Sequence, residues 1–349
     1  MRRALLSAGA VAVTVLAAAC GSSASSSSSG SSPADAPVTL RLGFLANITH
    51  APALVGVDKG FFTQSLGKNV TLSVKIFSTG TEETTAILAG QLDAAYVGPN
   101  PAINAWQKSG DSAIKIISGA ASDGASLVVK SGITSAAQLK GKSLATPSLG
   151  NTQDVALRYW LKQQGLSTTE TGGGDVPIKP TTPNSAAVLE FKSGQIAGGW
   201  EPAPYDAELA ADGGTRLVNE ASLWPGGKFV TTNLVVTQSF LKAHASVVSG
   251  LLKGQIQAND YISKNQAAAE QAANAELTKL TGKGLKSSIL AASFKEITFT
   301  DDPIASSLAT DAKHAEAVGL LKPVNLSGIY DLGPLNTLLT AAGEPNVSS

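Results

Sequence analysis

Apolar positions along this chain follow two periods in alternation. Val38–Phe44 (VTLRLGF) is a short apolar run of the kind a buried strand shows. Pro52–Ser65 carries Leu54, Val55, Phe61 and Phe62 at spacings that predict a helix with an apolar face. Val70–Phe77 (VTLSVKIF) alternates as a half-buried strand should. Thr81–Ala89 predicts a short helix, with Glu82 and Glu83 placed to favour its dipole. Ala94–Val97 is a strand, and Pro99–Lys108 a helix with proline early. Ile114–Gly119 and Ser126–Lys130 are further strands. The pattern then restarts with strands at Lys142–Thr146, Ile178–Pro180 and Ile196–Trp200. Helices at Asn151–Gln164 and Ser185–Lys192, and one from Tyr205, lie between and after them. Thr231–Thr237 (TTNLVVT) predicts a strand returning to the first set. Beyond Ser239 the chain is mostly helical, ending in helices at Asp302–Val318 and Leu332–Ala342. Strands alternating with helices imply parallel pairing and an α/β fold class.

The first residues break this pattern. Met1-Arg2-Arg3 is basic, Ala4–Ala19 is apolar, and Cys20 precedes a serine-rich run. That order predicts an export signal over residues 1–19. The apolar run is shorter than the roughly 20 residues of a membrane span. Cys20 is the one cysteine among 349 residues, and it stands where the signal would be cut. This segment resembles that of a bacterial lipoprotein, which implies acylation of Cys20 and a flexible tether over residues 20–37. The expected location is outside the cytoplasm, anchored to the outer face of the cell membrane or in the periplasm. Loss of Arg2 and Arg3 would leave 24 basic side chains against 26 acidic ones, a net charge near −2. Nucleic-acid binders usually carry a basic face, so a nucleic-acid partner is not expected.

A weak internal repeat runs through the body, of a kind that any two α/β units can also show. Gly90-Gln-Leu-Asp-Ala-Ala-Tyr-Val-Gly-Pro-Asn-Pro101 parallels Gly194-Gln-Ile-Ala-Gly-Gly-Trp-Glu-Pro-Ala-Pro-Tyr205. Asn47 and Asn151 are separated by the same offset. Two similar lobes are therefore expected, the first from 38–125 and 235–349, the second from 126–234. Loops at 45–52, 78–82, 98–101 and 146–152 follow strand ends and open helices. Ligands of open α/β sheets bind beyond the carboxyl ends of the strands. Helix N-termini there offer free N–H groups and partial positive charge. Gly80, Gly98 and Gly150 allow close backbone approach, and Ser148, Asn151, Thr152, Thr79 and Thr81 add neutral donors. Such a set suits a small oxyanion, although the same residue types also serve as plain helix caps. Trp200 and Tyr205 offer flat apolar faces, and Glu201 an acid, either to a cleft or to the core. His50 is a further candidate for the pocket.

The runs LGFLANITHAP (Leu42–Pro52), STGTEET (Ser78–Thr84), GQLDAAYVGPNPAINA (Gly90–Ala105), TPSLGNTQDVALR (Thr146–Arg158), GGWEPAPYD (Gly198–Asp206) and LWPGGKFVTTNLVV (Leu223–Val236) keep their order along the chain. In these it resembles the nitrate/taurine/aliphatic-sulfonate group of ABC-transporter substrate-binding proteins. The resemblance implies a type II periplasmic-binding-protein fold, with two α/β lobes, two crossover strands and a ligand cleft. It implies ligand-binding positions at Asn47, His50, Gly80, Thr81, Gly98, Asn100, Ser148, Gly150, Asn151, Thr152, Trp200, Glu201, Thr232 and Asn233. It further implies a monomer that hands a small organic anion or zwitterion to permease subunits, without metal or cofactor. The ligand expected is an alkanesulfonate or a taurine-like compound. Alternatives are a thiamine-precursor pyrimidine or another nitrogenous heterocycle, and nitrate. The same fold also resembles thiamine-pyrimidine synthases, but their cysteine-rich iron motif is absent here, as are HExxH and GxSxG motifs.

Overall fold

In the computed structural model, residues 37–181 and 183–349 are described. The signal segment, Cys20 and the tether to residue 36 lie outside the described residues. The first element is β1 (Val38–Leu45), followed by helices α1 (Ala51–Asp58) and α2 (Phe61–Leu66). The sequence predicts one helix here, but Lys59-Gly60 breaks it in two. Gly60 adopts φ 70°, which only glycine takes at little cost. Next come β2 (Val70–Phe77), α3 (Gly80–Leu88), β3 (Ala94–Val97), α4 (Pro99–Lys108) and β4 (Ile114–Asp123).

The second lobe begins with β5 (Ala125–Lys130) and β6 (Leu144–Thr146). It continues through α5 (Thr152–Gln163), β7 (Ile178–Pro180), α6 (Ser185–Ser193), β8 (Gly198–Pro202), α7 (Tyr205–Ala211) and β9 (Gly214–Asn219). The chain returns on β10 (Val230–Thr237) and then runs through α8 (Gln238–Ala243), α9 (Ala245–Lys264), α10 (Gln266–Thr281) and α11 (Ser287–Lys295). Strand β11 (Ile297–Phe299) and helices α12 (Ala305–Ala317) and α13 (Gly333–Ala342) complete it.

The first sheet has the order β11-β4-β10-β3-β1-β2, and the second β7-β6-β8-β5-β9. Pairs β1–β2, β1–β3, β6–β7 and β6–β8 are parallel. Strand β10 runs antiparallel to both β3 and β4, and β5 antiparallel to both β8 and β9. The chain passes from one sheet to the other at Asp123-Gly124, where both residues adopt left-handed backbone (φ 68° and 74°). Strands β9 and β11 escaped the sequence pattern. Both are edge strands, and β11 has only three residues, too few to display a period.

Each sheet is sandwiched by helices. In the first lobe Leu40, Leu42, Phe44 and Tyr96 pack toward α1, α2, α9 and α10, while Ala95, Val97 and Val235 pack toward α3, α4 and α12. In the second, Leu127, Val129 and Trp200 share a core with α5, and Val128 and Ala145 share one with α6 and α7. Apolar residues on both strand faces are the mark of sheets covered on both sides.

Candidate functional site

The parallel strands deliver their carboxyl ends, and the helices that follow, to one crevice between the lobes. An inner cavity of about 40 Å³ lies there. Its walls include Asn47 and His50 after β1, Thr79 and Gly80 opening α3, Gly98 before α4, and Asn151 and Thr152 opening α5. Thr231 of the return strand also borders it, as do Gln153 and Asn184 of the second lobe. No lining side chain is formally charged at neutral pH: the cavity offers amides, hydroxyls, one imidazole and the positive ends of three helices.

Local bonding settles what each side chain can offer. The Leu45 N–H donates to His50 Nδ1 at 3.3 Å, which leaves the ring proton on Nε2. Burial lowers the His50 pKa to about 3, so the ring is neutral. The Thr49 hydroxyl donates to Asn47 Oδ1 at 2.8 Å, leaving the Asn47 amide NH₂ as a donor. Thr79 and Asn151 work as helix caps, accepting from the Glu82 and Asp154 N–H groups.

The lobes touch across the crevice. The Ile48 N–H donates to the Ala203 carbonyl at 3.1 Å, and the Thr81 and Ser148 hydroxyls are 3.5 Å apart. A Cβ on Gly98 would stand 2.7 Å from Thr152 Oγ1, so only a glycine allows this approach.

Several expected positions lie elsewhere. Thr81 and Gly150 border a separate surface groove with Leu88 and Leu149, and Ser148 sits at the seam. The Gly150 N–H is already taken by Asp154 at 2.9 Å. Asn100 turns its amide NH₂ toward the Asp311 carbonyl, 3.4 Å away. Trp200 is no cleft wall. It is fully buried on the α5 face of the second sheet and donates Nε1–H to Glu220 at 2.6 Å. Glu201, next along β8, faces the opposite side and is also fully buried, with neither carboxyl oxygen hydrogen-bonded among the described residues. Burial, and then the neighbouring Asp206, push its pKa well above the carboxylate range, so it is a neutral acid. Thr232 and Asn233 are buried beside Thr231, and among the described residues nothing hydrogen-bonds the Thr232 hydroxyl or the Asn233 amide.

Asn184 was not among the expected positions, although it stands just before α6 and obeys the same strand-then-helix rule. A buried ion pair behind the α5 terminus was not expected either. There Arg158 Nε donates to Asp154 at 2.9 Å, and the Thr146 hydroxyl donates to the same carboxylate. The i,i+4 spacing of Asp154 and Arg158 was the available signal.

A second chamber of about 380 Å³ adjoins the inner cavity and shares Leu45, Asn47 and Asn184 with it. Tyr205, Phe77 and Leu285 supply much of its apolar wall, and Glu208 and Lys283 its charged groups. Among the described residues no group of three or more His, Cys, Asp or Glu side chains could hold a metal ion. Among them, too, no helix is long and apolar enough to cross a membrane.

Two covered α/β sheets, joined by antiparallel crossover strands around a cleft, define the periplasmic-binding-protein class of fold. The chain belongs to the NMT1-like family, whose model matches residues 34–276. It is 25% identical over 210 residues to a binding protein of Brucella abortus, covering 58% of this chain and 61% of that protein. The match thus spans about three-fifths of that relative's length. It is also 25% identical over 233 residues to the taurine-binding periplasmic protein of Escherichia coli K12, covering 66% of this chain and 70% of that one. Among solved structures, the fold is similar to the alkanesulfonate-binding protein SsuA from Xanthomonas axonopodis pv. citri bound to MOPS. The TM-score is 0.70 at 18% identity, over 85% of this chain and 99% of that one.

Proposed function

We propose that this protein is the extracytoplasmic substrate-binding component of an ABC importer and captures a small organic anion of the alkanesulfonate or taurine type. The observation that carries this reading is the meeting of three helix N-termini, two from one lobe and one from the other, on a cavity walled by neutral donors. A monoanion that leaves water regains hydrogen bonds there from His50, Asn47 and backbone N–H groups. Two half-shells close over the ligand by a hinge at the crossover strands, and the closed form docks on the permease. The protein is a binding protein rather than an enzyme, works as a monomer, and is held at the membrane by a lipid on Cys20.

The burial of Trp200 and Glu201 weakens the heterocycle alternative, because it removes from the cleft an indole face and an acid that such a ligand would use and leaves Tyr205, of the three candidates, at the second chamber. Nitrate would fill only the inner cavity. The test is a thermal-shift screen of the full chain with taurine, alkanesulfonates, nitrate, sulfate and a thiamine-precursor pyrimidine. A ligand at one hundred times its Kd adds about 2.7 kcal/mol of stability. A shift with sulfonates supports the proposal; a shift with the pyrimidine alone ends it.

A further inference from the structure

Helix α5 meets the inner cavity with an acid in its first turn. Asn151 caps the helix, Thr152 and Gln153 begin it and line the cavity, and Asp154 comes next. An acid there suits the helix dipole, but it also sets a negative charge beside the N–H groups proposed to hold an anion. The other two helix mouths are free of this conflict. Helix α4 has no acid in its first turn. In α3, Glu82 is exposed, and burial pushes the Glu83 pKa well above the carboxylate range, so Glu83 is a neutral acid.

Asp154 is paired instead. Its Oδ2 accepts from Arg158 Nε and from the Gly150 N–H, both at 2.9 Å, and its Oδ1 accepts from the Thr146 hydroxyl at 3.0 Å. Arg158 stands one turn further along α5, and its Nη1 donates to the Thr169 carbonyl. The two side chains are 0% and 1% exposed, so water and salt screen their charges little. Thr146 ends β6 and Gly150 lies in the loop before α5, so the pair joins strand, loop and helix behind the cavity.

We infer that Arg158 is a positioning residue for the anion site, acting through Asp154: it holds that carboxylate back on the loop and cancels the charge with which it would repel an anion at the α5 terminus. The inference rests on the oxyanion reading of the inner cavity and adds a residue that lies outside the cavity lining. A helix rises about 1.5 Å per residue, so a side chain at its third position stands within roughly 10 Å of an anion at its mouth. Two unit charges that far apart in a partly buried site change a binding constant about tenfold.

The experiment is calorimetric titration of the full chain with methanesulfonate, butanesulfonate and nitrate. The unaltered protein is compared with Asp154→Asn, Arg158→Met and the double variant, each first shown to melt cooperatively. Asparagine keeps a side-chain oxygen for the Gly150 N–H or the Thr146 hydroxyl, and methionine keeps most of the arginine stem. Arg158→Met is expected to bind anions about tenfold more weakly, because the Asp154 charge is left uncancelled. Asp154→Asn is expected to bind them about tenfold more tightly, because the guanidinium is then uncancelled. The double variant should return to within about threefold of the unaltered protein, since both charges are gone. A pair that merely braced the loop would make all three variants weaker, the double variant no better than Arg158→Met. That result would overturn the inference and leave the oxyanion reading standing. Should Arg158→Met not melt cooperatively, Asp154→Asn decides: tighter binding supports the inference, and unchanged or weaker binding overturns it. Should Asp154→Asn be the one that fails, recovery of affinity in the double variant over Arg158→Met supports the inference, and its absence overturns it. No binding of any of the three anions by the unaltered protein would bring down both the oxyanion reading and the inference.

Discussion

Glu220 shows how far burial can move one residue's chemistry. Burial pushes its pKa up to about 7, outweighing the hydrogen bonds from Trp200 and Trp224 that pull it down. A carboxyl raised from 4.5 in this way favours the fold fully below pH 4.5, and that advantage fades as pH climbs through 7. Glu83 and Glu201 shift in the same direction, each buried with neither oxygen hydrogen-bonded among the described residues. The protein is therefore expected to lose stability between pH 5 and pH 8. Glu220→Gln keeps an acceptor for the Trp200 N–H and should remove about 2–3 kcal/mol of that loss. Urea denaturation at the two pH values checks it; parallel losses in both proteins would place the titration elsewhere. At this scale the sequence was least informative. Trp200 and Glu201 both carry chemistry, but in a sheet covered on both faces strand alternation sends each into a core, not to a cleft. Asn47, His50, Gly80, Gly98, Asn151 and Thr152 were legible because they lie in turns that hand a parallel strand to a helix.

Among the elements, α3, α4 and α5 matter through their first residues. Gly98, before α4, meets Thr152, the first residue of α5, from the other lobe. Gly98 has φ −66°, which alanine adopts freely, so Gly98→Ala should leave the lobe itself folded. The new methyl would instead press on Thr152 Oγ1 from 2.7 Å and oppose closure. Overpacking of this kind costs about 1–3 kcal/mol, or roughly five- to 150-fold in affinity. Titration with the best sulfonate, alongside Tm without ligand, separates the effects: affinity should fall while Tm stays. A lower Tm with unchanged affinity would place the closing contact elsewhere. The long amphipathic helices and central strands were readable because each shows several periods of its pattern. The split at Gly60 and the edge strands β9 and β11 were not: a break shows no period, β11 has only three residues, and β9 (GTRLVN) has no clean alternation of buried and exposed positions.

For the whole molecule, attachment and closure are separate properties. The lipid proposed for Cys20 would act through a serine-rich tether and leave the lobes free to move. Cys20→Ser should shift the protein from the membrane to the soluble fraction while sulfonate affinity is retained. Fractionation of expressing cells, with titration of the released protein, tests this, and continued membrane association would point to another anchor. The proposed closure would rest on contacts between distant parts of the chain. The Ile48 N–H reaches the Ala203 carbonyl, and His314 of α12 stacks on Tyr159 of α5 at 3.7 Å. The sequence by itself determined the alternation of strand and helix, the parallel pairing of β1 with β2 and β3 and of β6 with β7 and β8, and the loops that would carry helix N-termini. Each of these is local, written in the spacing of neighbouring residues. Only the tertiary structure decided which side chains in those loops see the cavity. It alone brought Leu285 and Tyr205 to the lining of one chamber, because no local pattern records which distant surfaces the sheets bring together.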